Sequence, residues 1–129
     1  MDFYFSKKVN NQSFEDATEN VTEALKKEGF GVLTEIDIKE TLKKKIDVDF
    51  KKYKILGACN PHFAHQALTH EDKIGVFLPC NIIIEEHDNG EVEVSAVNPT
   101  ASFSAAKKNN IDSIASEIQK KLKSIIESL

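Results

Sequence analysis

The sequence predicts an α+β fold in which an antiparallel sheet carries its helices packed on one face. Short runs of alternating apolar and polar residues, separated by turn residues, are typical of antiparallel strands and occur at 2–9, 30–38 and 91–97. From 111 to 129 the apolar side chains instead recur at helical spacing. With 129 residues, 40% apolar and 29% charged, the chain has the size and composition of one globular domain, residues 1–129.

The first predicted strand, at 2–9, leads into a helix with recognisable ends. Ser13 is suited to the N-cap, and Asp16 lies three residues later in capping-box spacing. Gly29 is suited to the position just beyond the C-terminal end of this helix.

A second and a third strand follow, separated by a lysine-rich segment. In the second strand, 30–38, we expect one face to carry Phe30, Val32, Ile36 and Ile38. Residues 39–47 form a short helix or loop with Leu42 and Ile46 pointing inward. The third strand is predicted at 52–59.

A short helix at 61–69 begins at Asn60 and Pro61, which suit the N-cap and the first helical position. Its inward face carries three apolar residues, Ala64, Ala67 and Leu68. Its other face carries His62 and His65.

Residues 73–87 are predicted as a long strand that is interrupted at Pro79, because proline cannot donate to the strand ladder. A hairpin follows at 88–90. A three-residue loop with Gly90 in the left-handed region sets the apolar residues of the two strands opposite each other, and we therefore favour it over a two-residue loop. The resulting pairs are Ile84 with Val94 and Ile82 with Ala96.

Pro99 ends the last strand, and helix is expected from there to the C-terminus, in two pieces around 109–110. The second piece has the clearest periodicity in the chain. Its apolar stripe consists of Ile111, Ile114, Ala115, Ile118, Leu122, Ile125, Ile126 and Leu129.

Composition limits the partners. The net charge is −4 and all 17 basic residues are lysine, which argues against nucleic acid as the main partner because guanine is read mainly by arginine. No apolar run approaches the roughly 20 residues of a membrane span, and residues 1–8 do not resemble a signal peptide. We therefore expect a cytoplasmic protein whose cysteines remain reduced.

The two cysteines are the best candidates for chemistry. Cys59 directly precedes a predicted helix N-terminus, which favours a thiolate, and His62 lies one turn further on. Cys59, His62 and His65 could bind zinc or copper, with Cys80 as a further ligand. The alternative is that Cys59 is a small buried apolar side chain. Cys80 shares a face with Ile82 and Ile84, which favours burial.

Between 35 and 98 the chain resembles domain-of-unknown-function family 302 of bacteria and archaea. The resemblance is carried by residues 36–42, 53–61, 64, 67–68 and 74–81, which include Cys59-Asn60-Pro61 and Pro79-Cys80-Asn81, and by the acidic hairpin leading to Asn98-Pro99. It implies a TATA-binding-protein-like β-α-β4-α arrangement, commonly dimeric, without a settled activity. Members that resemble this chain keep cysteine at the positions of Cys59 and Cys80.

We interpret the chain as a dimeric ligand-binding or accessory module rather than an enzyme, with a site for a small ligand or anion at the Cys59-Asn60-Pro61 turn. The expected ligand-binding residues are Cys59, Asn60, His62, His65, Cys80 and Asn81. The alternative is a metal-binding protein, or a thiol-dependent redox or sulfur-transfer enzyme in which Cys59 and Cys80 are the candidate catalytic residues. No cofactor is required by the sequence.

Overall fold

The computed structural model describes residues 2–129, which contain five strands: β1 (Tyr4–Val9), β2 (Gly31–Asp37), β3 (Tyr53–Cys59), β4 (Cys80–Glu86) and β5 (Val92–Val97). They form one sheet in the order β1-β5-β4-β3-β2. Every neighbouring pair is antiparallel.

The helices are α1 (Phe14–Lys27), α2 (Ile38–Ile46), α3 (Pro61–His70), α4 (Pro99–Phe103) and α5 (Asn109–Glu127). Two 3₁₀ segments complete the chain: Asp72–Phe77 connects α3 to β4, and Ser104–Ala106 connects α4 to α5. Helices α1 and α5 pack against the central strands, so the predicted α+β arrangement is confirmed. None of the helices within residues 2–129 combines the length and the hydropathy needed to cross a membrane.

The ends of α1 agree with the sequence prediction. The Ser13 hydroxyl oxygen accepts a hydrogen bond from the Asp16 amide at 3.0 Å. Gly29, just past the helix, has φ +84°, a backbone conformation that residues other than glycine rarely adopt. The predicted apolar stripe of α5 is also confirmed, since all of its members up to Ile126 are buried.

The β4–β5 hairpin has the predicted three-residue loop. Ile84 pairs with Val94 and Ile82 pairs with Ala96. The Gly90 amide donates to the carbonyl oxygen of His87 at 2.8 Å, and Gly90 has φ +87°. The register of this hairpin decides which acidic side chains meet on the sheet.

The sheet has two chemically different faces. The inner face, against α1 and α5, includes Phe5, Ala96, Ile82 and Leu56, which are neighbours across four strands. The opposite face, called the outer face below, carries at the next position of the same strands Ser6, Ser95, Ile83 and Ile55.

The predicted strand at 73–78 is wrong. Residues 72–77 form a 3₁₀ segment whose start is capped by the Glu71 carboxylate, which accepts a hydrogen bond from the Lys73 amide at 2.9 Å. Within this segment Ile74 is buried, whereas Val76 is 81% exposed. The alternation of apolar residues at 73–78 therefore comes from a 3₁₀ turn in which Ile74 is the buried residue. The predicted interruption at Pro79 is confirmed, because β4 begins at Cys80.

Three expectations about the placement of apolar side chains were also wrong. A bulge between Val32 and Thr34 shifts the register of β2, so Ile36 pairs with Ile55 on the outer face and remains exposed. Ile46 is exposed because α2 packs mainly against the edge strand β2 and its neighbour β3 and buries no residue fully. Leu68 is 40% exposed near the C-terminal end of α3.

Candidate functional site

The two cysteines lie close together in the sheet. Cys80 pairs with Ala58, the residue directly before Cys59, and both thiols are free. Both also line a cavity of about 20 Å³ whose walls are mainly apolar, formed by Phe30, Phe63, Leu78 and Phe103 among others. A cavity of this size holds about one water molecule, so an organic ligand does not fit between the two sulfur atoms.

Cys80 is a poor candidate for a thiolate. Its side chain is buried among apolar residues. Burial raises the pKa of the Cys80 thiol from its ordinary value of 9.0 to about 11, and the neighbouring Cys59 thiolate is a smaller cause of the same sign. Cys80 is therefore a neutral thiol at pH 7, whereas Cys59 is only partly buried.

The side chain of Asn60 holds two helix ends together. Its carboxamide oxygen accepts hydrogen bonds from the amides of His62 and Phe63, at 3.2 and 3.4 Å, and so caps α3. Its Nδ2 donates to the carbonyl oxygen of Glu28, at the end of α1, at 3.4 Å. These contacts give Asn60 a structural function that does not depend on a ligand.

The other residues expected at the site lie apart. His62 and His65 are exposed on α3. Within the described part of the chain, 2–129, these histidines and Cys59 do not form a group of three donor atoms close enough to share a metal ion. Asn81 is the neighbour of Cys80 along β4 and therefore lies on the outer face.

The outer face contains a much larger opening, about 520 Å³ in volume, that we call the outer groove. Its floor and walls combine aromatic, aliphatic and polar side chains. The residues that line it are Phe3, Tyr4, Tyr53, Asn81, Ile83, Glu85, Glu93, Ser95, Ala96 and Val97. The register explains this grouping, because Tyr4 pairs with Val97, Ile83 pairs with Ser95, and Tyr53 pairs with Glu85, beside Glu93.

Ser95 is a largely buried polar residue that lines the outer groove. It is 6% exposed, and its hydroxyl makes no hydrogen bond with another side chain or with the backbone of residues 2–129. A ligand or water in the groove would provide a partner for this hydroxyl.

Charged side chains close one end of the groove. Lys51 Nζ lies 2.7 Å from Glu85 Oε1, and this hydrogen bond is the main cause that raises the pKa of the Lys51 ammonium. His87 Nε2 lies 2.8 Å from Glu93 Oε1, and this contact is the main cause that lowers the pKa of the Glu93 carboxyl. Burial raises the pKa of the adjacent Tyr53 hydroxyl, which therefore stays protonated at neutral pH.

The sequence interpretation missed the outer groove, although signals for it were present. The run Ile82-Ile83-Ile84 places an apolar residue on the outer face as well as on the inner one. The three-residue hairpin loop also implies that Glu85 lies opposite Glu93. The contributions of Phe3 and Tyr4 depend on the pairing of β1 with β5, which joins residues distant in sequence.

A family model described as "Domain of unknown function DUF302" matches residues 5–129. Among solved structures, the chain is similar to the crystal structure of an uncharacterized conserved protein DUF302 from Bacillus stearothermophilus. The two chains are 29% identical, the match covers 98% of each, and the TM-score is 0.91. None of the curated proteins matches this chain.

Proposed function

The chain belongs to the family of domains of unknown function DUF302, and we propose that it is a binding module whose small-molecule ligand lies in the outer groove. The observation that carries this proposal is the groove itself, about 520 Å³ in volume. Pockets for small molecules commonly enclose about 300–1,000 Å³ and combine apolar walls with a few polar groups.

The lining favours a flat, neutral ligand with an apolar body. Tyr4, Tyr53 and Ile83 provide aromatic and aliphatic contact area. Ser95 and the exposed Asn81 provide a hydroxyl and a carboxamide, which can both donate and accept hydrogen bonds. The carboxylates at the closed end are already paired with Lys51 and His87, so they favour a neutral body over a charged one.

A binding module fits these side chains better than a thiol enzyme. A thiol enzyme that uses both cysteines needs at least one thiolate near neutral pH. The raised pKa of Cys80 disfavours a thiolate there, and the cavity between the two cysteines is too small for an organic substrate. Thiol chemistry would therefore depend on Cys59 alone.

Self-association and location are further parts of the proposal. The family resemblance and the run Ile82-Ile83-Ile84, which places apolar side chains on both faces of the sheet, lead us to expect a two-fold dimer in which a second copy covers the outer face. A copy packed there would occlude the outer groove. We therefore propose that a dimer forms through another surface. The two free thiols fit a reducing compartment such as the cytoplasm.

The test is a binding titration with neutral bicyclic aromatic amides, followed by saturation-transfer NMR. Tyr53→Ala should weaken binding about two- to tenfold, the range expected for an aromatic contact. The matched control is Leu33→Ala, since Leu33 is 67% exposed on β2 and does not line the groove. Equal loss in both variants, or binding that Tyr53→Ala does not change, would contradict the proposal.

A further inference from the structure

We infer that Glu85, His87 and Glu93 form a binding site for a divalent transition-metal ion, with zinc as the reference ion, at the closed end of the outer groove. One donor atom from each side chain lies within 4.8 Å of the other two. This site goes beyond the proposed function and does not depend on it, because the ion can bind whether or not an organic ligand occupies the groove.

The donor set fits zinc chemistry. One imidazole nitrogen and two carboxylate oxygens can fill three positions of a tetrahedral zinc ion, which leaves the fourth open. Bond lengths of about 2.0–2.2 Å place tetrahedral ligand atoms about 3.3 Å apart. The three donor atoms start within 4.8 Å of one another, so small side-chain rotations would bring them to that separation.

The backbone holds the three residues in place before an ion binds. Glu85 and Glu93 are direct partners in the β4–β5 register. His87 begins the tight hairpin, where its amide donates to the carbonyl oxygen of Glu91 at 2.8 Å. Because all three ligands come from one closed hairpin, little conformational freedom is lost when they converge on an ion.

The same register brings two carboxylates together on one face of the sheet. Two carboxylates directly opposite each other on a sheet face repel each other. In the metal-free protein Lys51 and His87 offset this repulsion through their contacts with Glu85 and Glu93. An ion bound at Nε2 would replace the contact between His87 and Glu93 and release the Lys51 ammonium from Glu85, so Lys51 competes with the ion.

Ser95 shows which side of the cluster faces the groove. Ser95 lies two residues from Glu93 along β5, on the same face, and is 6% exposed with no hydrogen-bond partner for its hydroxyl among residues 2–129. Glu85, Glu93 and Ser95 all line the groove. The open fourth position of the ion would therefore face the groove, where it can take water or a donor atom of a bound molecule.

The test is calorimetric titration of the tag-free protein with zinc chloride. His87→Ala and Glu93→Gln should each weaken binding by roughly tenfold or more, as expected when a ligand is lost. His62→Ala and Glu91→Gln are matched controls, since one removes an exposed histidine of α3 and the other an acidic residue of the same hairpin outside the cluster. Neither control should change the affinity.

Lys51→Met gives an independent result that does not depend on the loss of a ligand. Removal of the competing ammonium should tighten zinc binding, whereas a cluster that serves only as a set of ion pairs would show no such gain. The inference is overturned if the wild type does not bind zinc. It is also overturned if His87→Ala and Glu93→Gln, folded by circular dichroism, bind as tightly as the controls.

Discussion

Gly57 lies directly beneath the ring of Pro79, so that a Cβ atom at position 57 would come within 2.7 Å of Pro79 Cγ. The same atom would also overlap the hydroxyl of Thr34. Gly57 belongs to β3, and Pro79 directly precedes β4. This close approach fixes Pro79 against β3 and so positions the start of β4, where Cys80 lies on the inner face and Asn81 on the outer face.

Gly57→Ala should therefore destabilise the domain by about 1–3 kcal/mol, the usual cost of overpacking a filled site. Gly31→Ala is the matched control, because an added methyl group there meets no atom within 4 Å. Chemical denaturation of both variants measures the difference. Equal stabilities of Gly57→Ala and Gly31→Ala would show that there is room for a methyl group between β3 and Pro79.

Ile118 anchors α5 to the sheet side of the core and is 4% exposed. Ile118→Asp removes about 1.5–3 kcal/mol of apolar burial and adds the larger cost of a buried carboxylate. Since a typical domain is stable by about 5–15 kcal/mol, the variant should be largely unfolded. Glu117→Ala, at the exposed neighbouring position, should melt like the wild type. A cooperative, unchanged melt of Ile118→Asp by circular dichroism would disprove the docking of α5.

The Cys80 thiol should make the domain less stable at alkaline pH. In the folded state its pKa is raised from 9.0 to about 11, so the unfolded chain loses this proton first as pH rises. The stabilising contribution is complete below pH 9 and disappears as pH rises through 11, a change of about 2–3 kcal/mol. The stability difference between wild type and Cys80→Ala, measured by denaturation from pH 8 to 11, should shrink by that amount. A constant difference would mean that the thiol is not shielded from solvent.

The mass in solution is a separate prediction. Light scattering at micromolar concentration should give about twice the chain mass of 14.4 kDa, as the family resemblance leads us to expect. Substitution of Ile83 by Asp, on the outer face, should leave that mass unchanged if the two copies meet elsewhere. Dissociation of the dimer by this substitution would place the second copy on the outer face and exclude the outer groove as a ligand site. A monomeric wild type would refute self-association itself.

Local signals predicted much of the fold. The caps at Ser13 and Asn60, the left-handed residues Gly29 and Gly90, and the stripe of α5 depend on contacts within a few residues, and sequence patterns report such contacts well. The segment 72–77 was misread because apolar alternation does not distinguish a strand from a turn with one buried anchor.

The candidate site was harder to predict because it depends on strand order. The prediction concentrated on cysteines and histidines near the Cys59 turn, but β-strand alternation separates Cys80 from Asn81, and His62 and His65 are exposed on α3. The outer groove joins Tyr4 of β1 to Tyr53 of β3 across two intervening strands. Hairpin register can be derived from sequence, but this long-range arrangement cannot.

The central claim is that a small molecule binds in the outer groove, and its position can be mapped directly on ¹⁵N-labelled protein. On titration with a neutral bicyclic aromatic amide, the backbone amide signals of Tyr53, Asn81, Ile83, Ser95 and Val97 should shift together and saturate with one dissociation constant. Signals from 59–65 should stay in place. Shifts confined to the Cys59 turn and α3, or no saturable shift in β4 and β5 with any amide, would contradict the account.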